Sequence, residues 1–309
     1  MNMDASDQTL RRTGIGGSDA AAILGLNPYQ SRYALAVEKI HGVRAPEDPV
    51  ARERMDWGKK LEPLLRAEFI ERTGLHVDDG LSFVRHPSMP YVFANVDGLV
   101  NRLSPDHDAN IPPEIRELGF DRGVFEGKCA GGFDITDWGD EGHPLVPVHY
   151  YVQAQHYLLV TDRAWCGFGC LMNGNRYIVR WVTRDDELIE TRLVPELVRF
   201  WGEVERREVP DPTDPFIDEQ ILRLLHREVP GFVVDLTDEQ TRAVYRWAAA
   251  HEQRASGERQ EKALKLAVQA AMGTASIGKL TTGEQITFKT SSDGRRLLRA
   301  PHKPPTRKR

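Results

Sequence analysis

The sequence predicts an α/β (α+β) core over residues 1–210, a Pro-rich linker over 211–235, and a helical arm with a small β-hairpin and basic tail over 236–309. Three observations carry this reading. Apolar residues recur at helical spacing up to residue 73, with Leu61, Leu65 and Phe69 at i, i+4 and i+8. From residue 76 the pattern changes to β-branched and aromatic residues broken by turn dipeptides. Beyond Pro210 the run VPDPTDPF is punctuated by prolines and opens a more polar, helix-forming region.

The elements follow in order. GIGGSDAAAILG (14–25) reads as a glycine turn and a short helix, with Ser18 or Asp19 as its N-cap and Gly25 with Asn27-Pro28 as its stop. SRYALAVEKIHG runs from Ser31 to a Gly42 terminator. Residues 51–73 are helical, and Pro63 fits best in a first turn or at a kink, which puts Glu62 near a helix start or bend. Residues 76–103 form strands with Asp97-Gly98 as a turn signal, 103–120 a variable loop, and GVFEGKCA (123–130) a buried strand. PVHYYVQAQHYLLV (147–160) is read as helix from its length and its alanine. AWCGFGCLMNGNRYIVRWV is two strands joined at Asn173-Gly174-Asn175. Thr237 and Gln240 make a capping box for a helix reaching Met272, interrupted near Ser256-Gly257, and 276–300 reads as a hairpin unit.

Composition narrows the function. A chain of 309 residues, 40% hydrophobic and 28% charged, has the make-up of a soluble globular protein. It has no apolar run near the ~20 residues of a membrane span, and MNMDASDQTLRR lacks a signal-peptide core, so the cytoplasm is the expected location. Three cysteines, Cys129, Cys166 and Cys170, support neither a disulfide framework nor a four-Cys iron–sulfur cluster; Cys166 and Cys170 read as half-buried structural thiols. The net charge of -5 argues against indiscriminate coating of nucleic acid but is compatible with an acidic metal site beside a local basic groove. The tail PHKPPTRKR reads as a solvated segment, with a DNA-touching role as its alternative.

Glu126 and Lys128 stand two apart on a strand and so share a face, with Gly127 between them free for close backbone approach. E-x-K alone is most simply an ion pair. Joined to Asp97, 29 residues upstream, it becomes a D-(x28)-E-x-K pattern in which an aspartate on one strand meets E-x-K on its neighbour. Two close carboxylates repel and are relieved by a hard divalent cation such as Mg²⁺ or Mn²⁺. A lysine beside them can orient or help deprotonate a water, or offset charge on a phosphate.

Four segments, RRTGIGGSDAAAILGLNPY, WGKKLEP, FANVDGLV with FEGKCA, and YYVQAQHYLL, occur in order across residues 11–160. Together they resemble the YqaJ-type viral recombinase family, a group of PD-(D/E)xK nucleases that includes phage lambda exonuclease. The resemblance implies a restriction-endonuclease-like core, a central mixed sheet flanked by helices. It implies Asp97 and Glu126 as metal ligands, the Gly127 carbonyl as a further one, Lys128 as the catalytic lysine, and Glu62 as the acid that helps hold a second ion. Gln155 matches the glutamine that positions water or phosphate, with Gln153 in its place if the register is shifted. Ser18, with Arg11 or Arg12, would take a terminal phosphate.

The same resemblance implies a phage or prophage exonuclease in a bacterial host. It would use Mg²⁺ or Mn²⁺, two ions, to degrade linear double-stranded DNA 5′→3′ and leave a 3′ overhang. A single-strand annealing protein is the implied partner, and a homo-oligomeric ring is possible by analogy. A Cas4- or RecB-like nuclease or an endonuclease on the same core, and a non-catalytic DNA-binding protein, are the alternatives. The role of the region after residue 210 stays open between DNA binding, oligomerisation and partner contacts.

Overall fold

Five strands form one mixed sheet in the order of the sequence: β1 (Leu75–Arg85), β2 (Phe93–Leu103), β3 (Gly123–Ala130), β4 (Trp165–Met172) and β5 (Arg176–Thr183). The computed structural model describes residues 10–46, 48–103, 111–131, 136–139, 145–226 and 228–299; the basic tail lies outside them. The chain divides into two units, Met1–Glu228 and Val229–Arg309.

In the first unit all neighbouring strands are antiparallel except β3 and β4, which run parallel. The crossover between those two is made by the helix Val148–Thr161, as a parallel pair requires. The turn from β4 to β5 has positive φ at both Asn173 (51°) and Gly174 (75°), the geometry that matches strand twist in a tight hairpin.

The sheet is covered on both faces. Helices α1 (Gly17–Ile23), α2 (Arg32–His41) and α5 (Val148–Thr161) bury Ala20, Leu35, Val152 and Leu158 with Val124, Cys166, Phe168 and Cys170 of the strands. On the other face α3 (Pro49–Thr73) buries Leu65 and Phe69 against Phe125 and Trp165, and Ile115 of α4 (Pro113–Leu118) joins them. Cys166 and Cys170 are therefore fully buried core residues rather than half-buried ones, while Cys129 is exposed. The alternation on β3 follows from this: Val124 and Glu126 face α5, Phe125 faces α3.

Several local expectations are revised. Gly16, not Ser18 or Asp19, caps α1, and Asp19 reaches back to the Gly16 N–H at 3.0 Å. Pro63 lies inside α3, capped by Asp48 with Pro49 in its first turn and closed by Gly74 at φ 67°, so Glu62 sits mid-helix. Proline at 63 removes the N–H that would bond the carbonyl four residues back, and packing of Leu65 and Phe69 carries the helix through. Asp97-Gly98 lies within β2, not in a turn, because Gly98 is paired with Asp79 on one side and Phe125 on the other. The stretch 211–235 contains a helix, α7 (Asp218–Leu225), whose Ile221 packs on Tyr33, Ala34 and Val37 of α2. Helix α6 (Val194–Glu205) lies between β5 and α7 in the chain.

The second unit holds α8 (Asp238–Met272), opened by the Thr237–Gln240 capping box and unbroken at Ser256-Gly257. Its terminal hairpin is a three-stranded antiparallel sheet, β6 (Ile277–Lys279), β7 (Gln285–Thr290) and β8 (Arg296–Arg299). Ile286 and Phe288 of β7 bury one face of that sheet against Met272.

Candidate active site

The pairing of β2 with β3 stops at Gly98–Phe125. The next residues in register are Asp97 and Glu126, and directly opposed residues of an antiparallel pair carry their side chains on one face. Where the strands separate, the Asp97 carboxylate takes the place of a ladder partner: its Oδ2 accepts the Gly127 N–H at 2.9 Å. A strand residue directs its N–H and C=O to the same edge, so the Gly127 carbonyl lies along the edge facing Asp97. A Cβ at 127 would come within 3.1 Å of Leu65 Cδ1, so glycine lets α3 pack close behind the site.

Glu126 is 3% exposed. Its Oε1 accepts from Lys128 Nζ at 2.7 Å and from Gln153 Nε2 at 3.1 Å. Its Oε2 is buried and has no hydrogen-bond partner among the described residues. Burial first, and the charge of Asp97 second, push the Glu126 carboxyl up to about 8 against the pull of Lys128. Burial works against the Lys128 ammonium, but Glu126, Tyr150 and Asp97 together outweigh it and hold this group above the usual lysine range. The ammonium also stands 4.7 Å over the Tyr150 ring.

The outer parts of the site divide. Glu62 feels burial and the Asp97 charge, which raise its carboxyl, while Arg66 and Lys128 oppose them. Arg66 holds Glu62 loosely at 3.5 Å and Asp79 at 2.7 Å. Ser18 is exposed and its hydroxyl accepts from Arg11 Nη2 at 3.2 Å. Arg12 instead lays its guanidinium against Gly42, at the C-terminus of α2, where a Cβ would meet it at 2.8 Å. Gly17 packs on Tyr157 so closely that a Cβ would lie 2.4 Å from the ring, and Tyr157 accepts from Gln153 Nε2 at 2.5 Å. A chain of contacts thus runs from the start of α1 through Tyr157 and Gln153 to Glu126.

Gln155 does not join the site. Its side chain donates to the Thr183 carbonyl at 2.8 Å and accepts the Asp185 N–H at 2.9 Å, tying α5 to the end of β5. Two residues along a helix face nearly opposite ways, so Gln153 and Gln155 cannot both point at β3. Gln153 is the one that does. Sequence reasoning missed Tyr150 and Tyr157. Their signal was present: Tyr150, Gln153 and Tyr157 stand at i, i+3 and i+7, one face of a helix.

The donor set suits a hard divalent cation. Asp97 and Glu126 supply carboxylate oxygens, one of them buried without a partner, and the Gly127 carbonyl lies on the same edge. Among the described residues no three His, Cys, Asp or Glu side chains gather tightly enough to hold an ion by themselves. Glu62, held by Arg66, stands outside the pair. Beside Lys128 a cavity of ≈ 610 Å³ opens, lined by Cys129, Ala130, Trp138, His149, Tyr150 and Tyr29. It is not lined by the acids; its Tyr150 is the ring beneath the Lys128 ammonium.

Comparison with known proteins places this chain in a family. The protein YqaJ of Bacillus subtilis (strain 168), an uncharacterized protein, is 29% identical over 272 residues, 87% of this chain and 78% of that one. Protein D345L of African swine fever virus (strain Badajoz 1971 Vero-adapted) is 33% identical over 95 residues, 28% of this chain and 27% of that one. The crystal structure of an alkaline exonuclease (LHK-Exo) from Laribacter hongkongensis superposes with a TM-score of 0.49 at 22% identity, covering 70% of this chain and 97% of that chain. The model of the YqaJ-like viral recombinase domain matches residues 8–164, which include Glu62, Asp97, Glu126, Lys128 and Gln153, and the chain belongs to that family.

Proposed function

We propose that this protein is a divalent-metal-dependent exonuclease of linear double-stranded DNA, working 5′→3′ to leave a 3′ overhang. The observation that carries the reading is the meeting of Asp97, Glu126 and Lys128 where β2 and β3 part, with Glu126 Oε2 buried and unpartnered. Family membership supports it.

Asp97, Glu126 and the Gly127 carbonyl would hold one Mg²⁺ or Mn²⁺, and Glu62 would help to hold a second. Such an ion, when bound, polarises the phosphate and makes a water acidic enough to attack at neutral pH. The remaining work belongs to the chain. Lys128, whose ammonium donates to Glu126 Oε1 at 2.7 Å, would offset charge building on the phosphate or orient the attacking water. Tyr150 holds the ammonium from below, and Gln153 fixes the Glu126 carboxylate through Oε1. Ser18 and Arg11 would take a terminal 5′-phosphate, with the Arg11–Ser18 contact as support. A single-strand annealing protein as partner, a homo-oligomeric ring and a phage or prophage origin remain part of this proposal, resting on the family alone.

The test is digestion of end-labelled linear duplex and of closed circular duplex with Mg²⁺, with 5′-phosphate and 5′-hydroxyl ends compared. Loss of linear DNA from the 5′-phosphate end, with circles spared, is expected. Cutting of circles would replace the exonuclease by an endonuclease, and equal rates on both ends would remove the phosphate role of Ser18. No cleavage under any condition would leave a DNA-binding protein.

A further inference from the structure

The two units carry opposite charge. Val229–Arg309 has 15 Lys and Arg against 8 Asp and Glu, a formal +7; residues 1–228 have 26 against 38, a formal −12, giving the chain its -5. The acidic site and the basic unit are thus separated along the chain, which the modest total conceals.

The basic unit ends in a sheet with one covered face. Ile286, Phe288 and Leu298 pack with Met272. Alternation then dictates the other face: Ile277 and Lys279 on β6, Gln285, Thr287 and Lys289 on β7, Leu297 and Arg299 on β8. Three cations and no acid stand on it. Among the described residues the side chains of Lys279, Lys289 and Arg299 make no ion pair or hydrogen bond, whereas Arg295 is paired with Asp293 and Arg296 is spent on the carbonyls of Gly273, Ala275 and Phe288. Register spaces the three cations. Lys279 lies beside Gln285, Arg299 beside Thr287, and Lys289 two residues further along β7. They step by about 7 Å along the strands, and the outer strands stand about 10 Å apart. That is a triangle of charge, one cation on each strand, on a face whose width is comparable with the ~12 Å between the backbones bordering a major groove. A shallow concavity of ≈ 220 Å³ lies among Thr287, Lys289, Ser291, Leu297 and Arg299. A solvated outer face explains polarity, but it does not explain three unpaired cations without an acid in a unit of +7.

We propose that the outer face of the β6–β7–β8 sheet is a duplex-DNA binding surface, with Lys279, Lys289 and Arg299 contacting phosphates and Gln285 and Thr287 supplying neutral donors between them. The choice of DNA as ligand rests on the nuclease reading above; the surface belongs to Val229–Arg309 and the acidic site to Met1–Glu228.

Full-length protein is titrated onto a labelled 20-base-pair duplex in EDTA, so that cleavage does not interfere, and affinity is followed by anisotropy over a range of salt. Three phosphate contacts contribute a slope of about 2.7 in log affinity against log salt. Lys279→Gln with Lys289→Gln and Arg299→Gln should lower the slope by that amount, so that between 50 and 200 mM salt the native chain loses about 40-fold more affinity than the variant. The same charge change on α8, Arg259→Gln with Lys262→Gln and Lys265→Gln, should leave the slope near native. The proposal is overturned if the sheet variant keeps the native slope, if the α8 variant loses as much, or if the sheet variant loses binding to an RNA duplex but not to DNA. Cleavage by the native chain is scored separately with Mg²⁺, so failure of the nuclease reading shows there and not in the slope.

Discussion

Replacing Gln153 and Gln155 one at a time should give opposite phenotypes. Gln155→Leu removes two hydrogen bonds and strands the Thr183 carbonyl and the Asp185 N–H in a part-buried setting. Each stranded group costs about 1–3 kcal/mol, so the first unit should lose roughly 2–6 kcal/mol. At about 2–4 °C per kcal/mol for a unit of this size, a loss near 3 kcal/mol lowers the melting temperature by about 6–12 °C. Cleavage well below that temperature should be close to native. Gln153→Leu removes the donor to Glu126 Oε1 and to Tyr157, and supporting residues of a metal site typically cost about 10–100-fold in activity. Its melting temperature should move less. Calorimetric melting paired with initial rates on linear duplex at 20 °C reads both, and raising Mg²⁺ should partly rescue Gln153→Leu if it acts through ion affinity. A stable Gln155→Leu protein without activity, beside an unaffected Gln153→Leu, would refute the assignment.

Two further perturbations address the scaffold. His156 is fully buried, Nε2 bonded to the Phe93 carbonyl, and burial lowers its pKa to about 4 from 6.5. The unfolded chain therefore binds the extra proton between those values, and stability should fall by up to roughly 3 kcal/mol as pH drops from 6.5 to 4; in denaturant titrations at pH 7 and pH 5, His156→Gln should show a shallower loss than the native chain, and equal losses would contradict the buried neutral ring. Asp19 and Lys39 form a buried pair at 2.7 Å that fixes the start of α1. Lys39→Met alone should cost about 3–5 kcal/mol by leaving a buried carboxylate unpaired, and Asp19→Leu added to it should recover most of that. Failure of the second change to help would show that Asp19 acts mainly through the Gly16 N–H.

The strand order and the site were legible to different depths. E-x-K on a strand fixes which side chains share a face, and an aspartate in a neighbouring apolar strand supplies the second acid, so Asp97, Glu126 and Lys128 could be named from pattern and resemblance. Turn chemistry misled at Asp97-Gly98, because the same dipeptide that closes hairpins also serves where two strands part and a carboxylate replaces the ladder. Pro63 misled because propensity is local while Leu65 and Phe69 are held by the sheet. Gln155 was preferred over Gln153 because position in a matched string says nothing about helix phase; the 3.6 periodicity with Tyr150 and Tyr157 does. The charge split between the two units was countable from the sequence, but the face that gathers Lys279, Lys289 and Arg299 is set by strand register.

The central claim is that Asp97 and Glu126 form a cation site on which hydrolysis by this chain depends. Its most direct measurement is the rate of linear-duplex cleavage by EDTA-stripped protein as Mg²⁺ or Mn²⁺ is restored, for the native chain, Asp97→Asn, Glu126→Gln and Lys128→Ala. The account predicts no cleavage without the ion, saturable recovery in the native chain, and rates lower by at least about 10²–10³-fold in each folded variant. Cleavage that persists in EDTA, or a Glu126→Gln protein that cuts at the native rate, would contradict it.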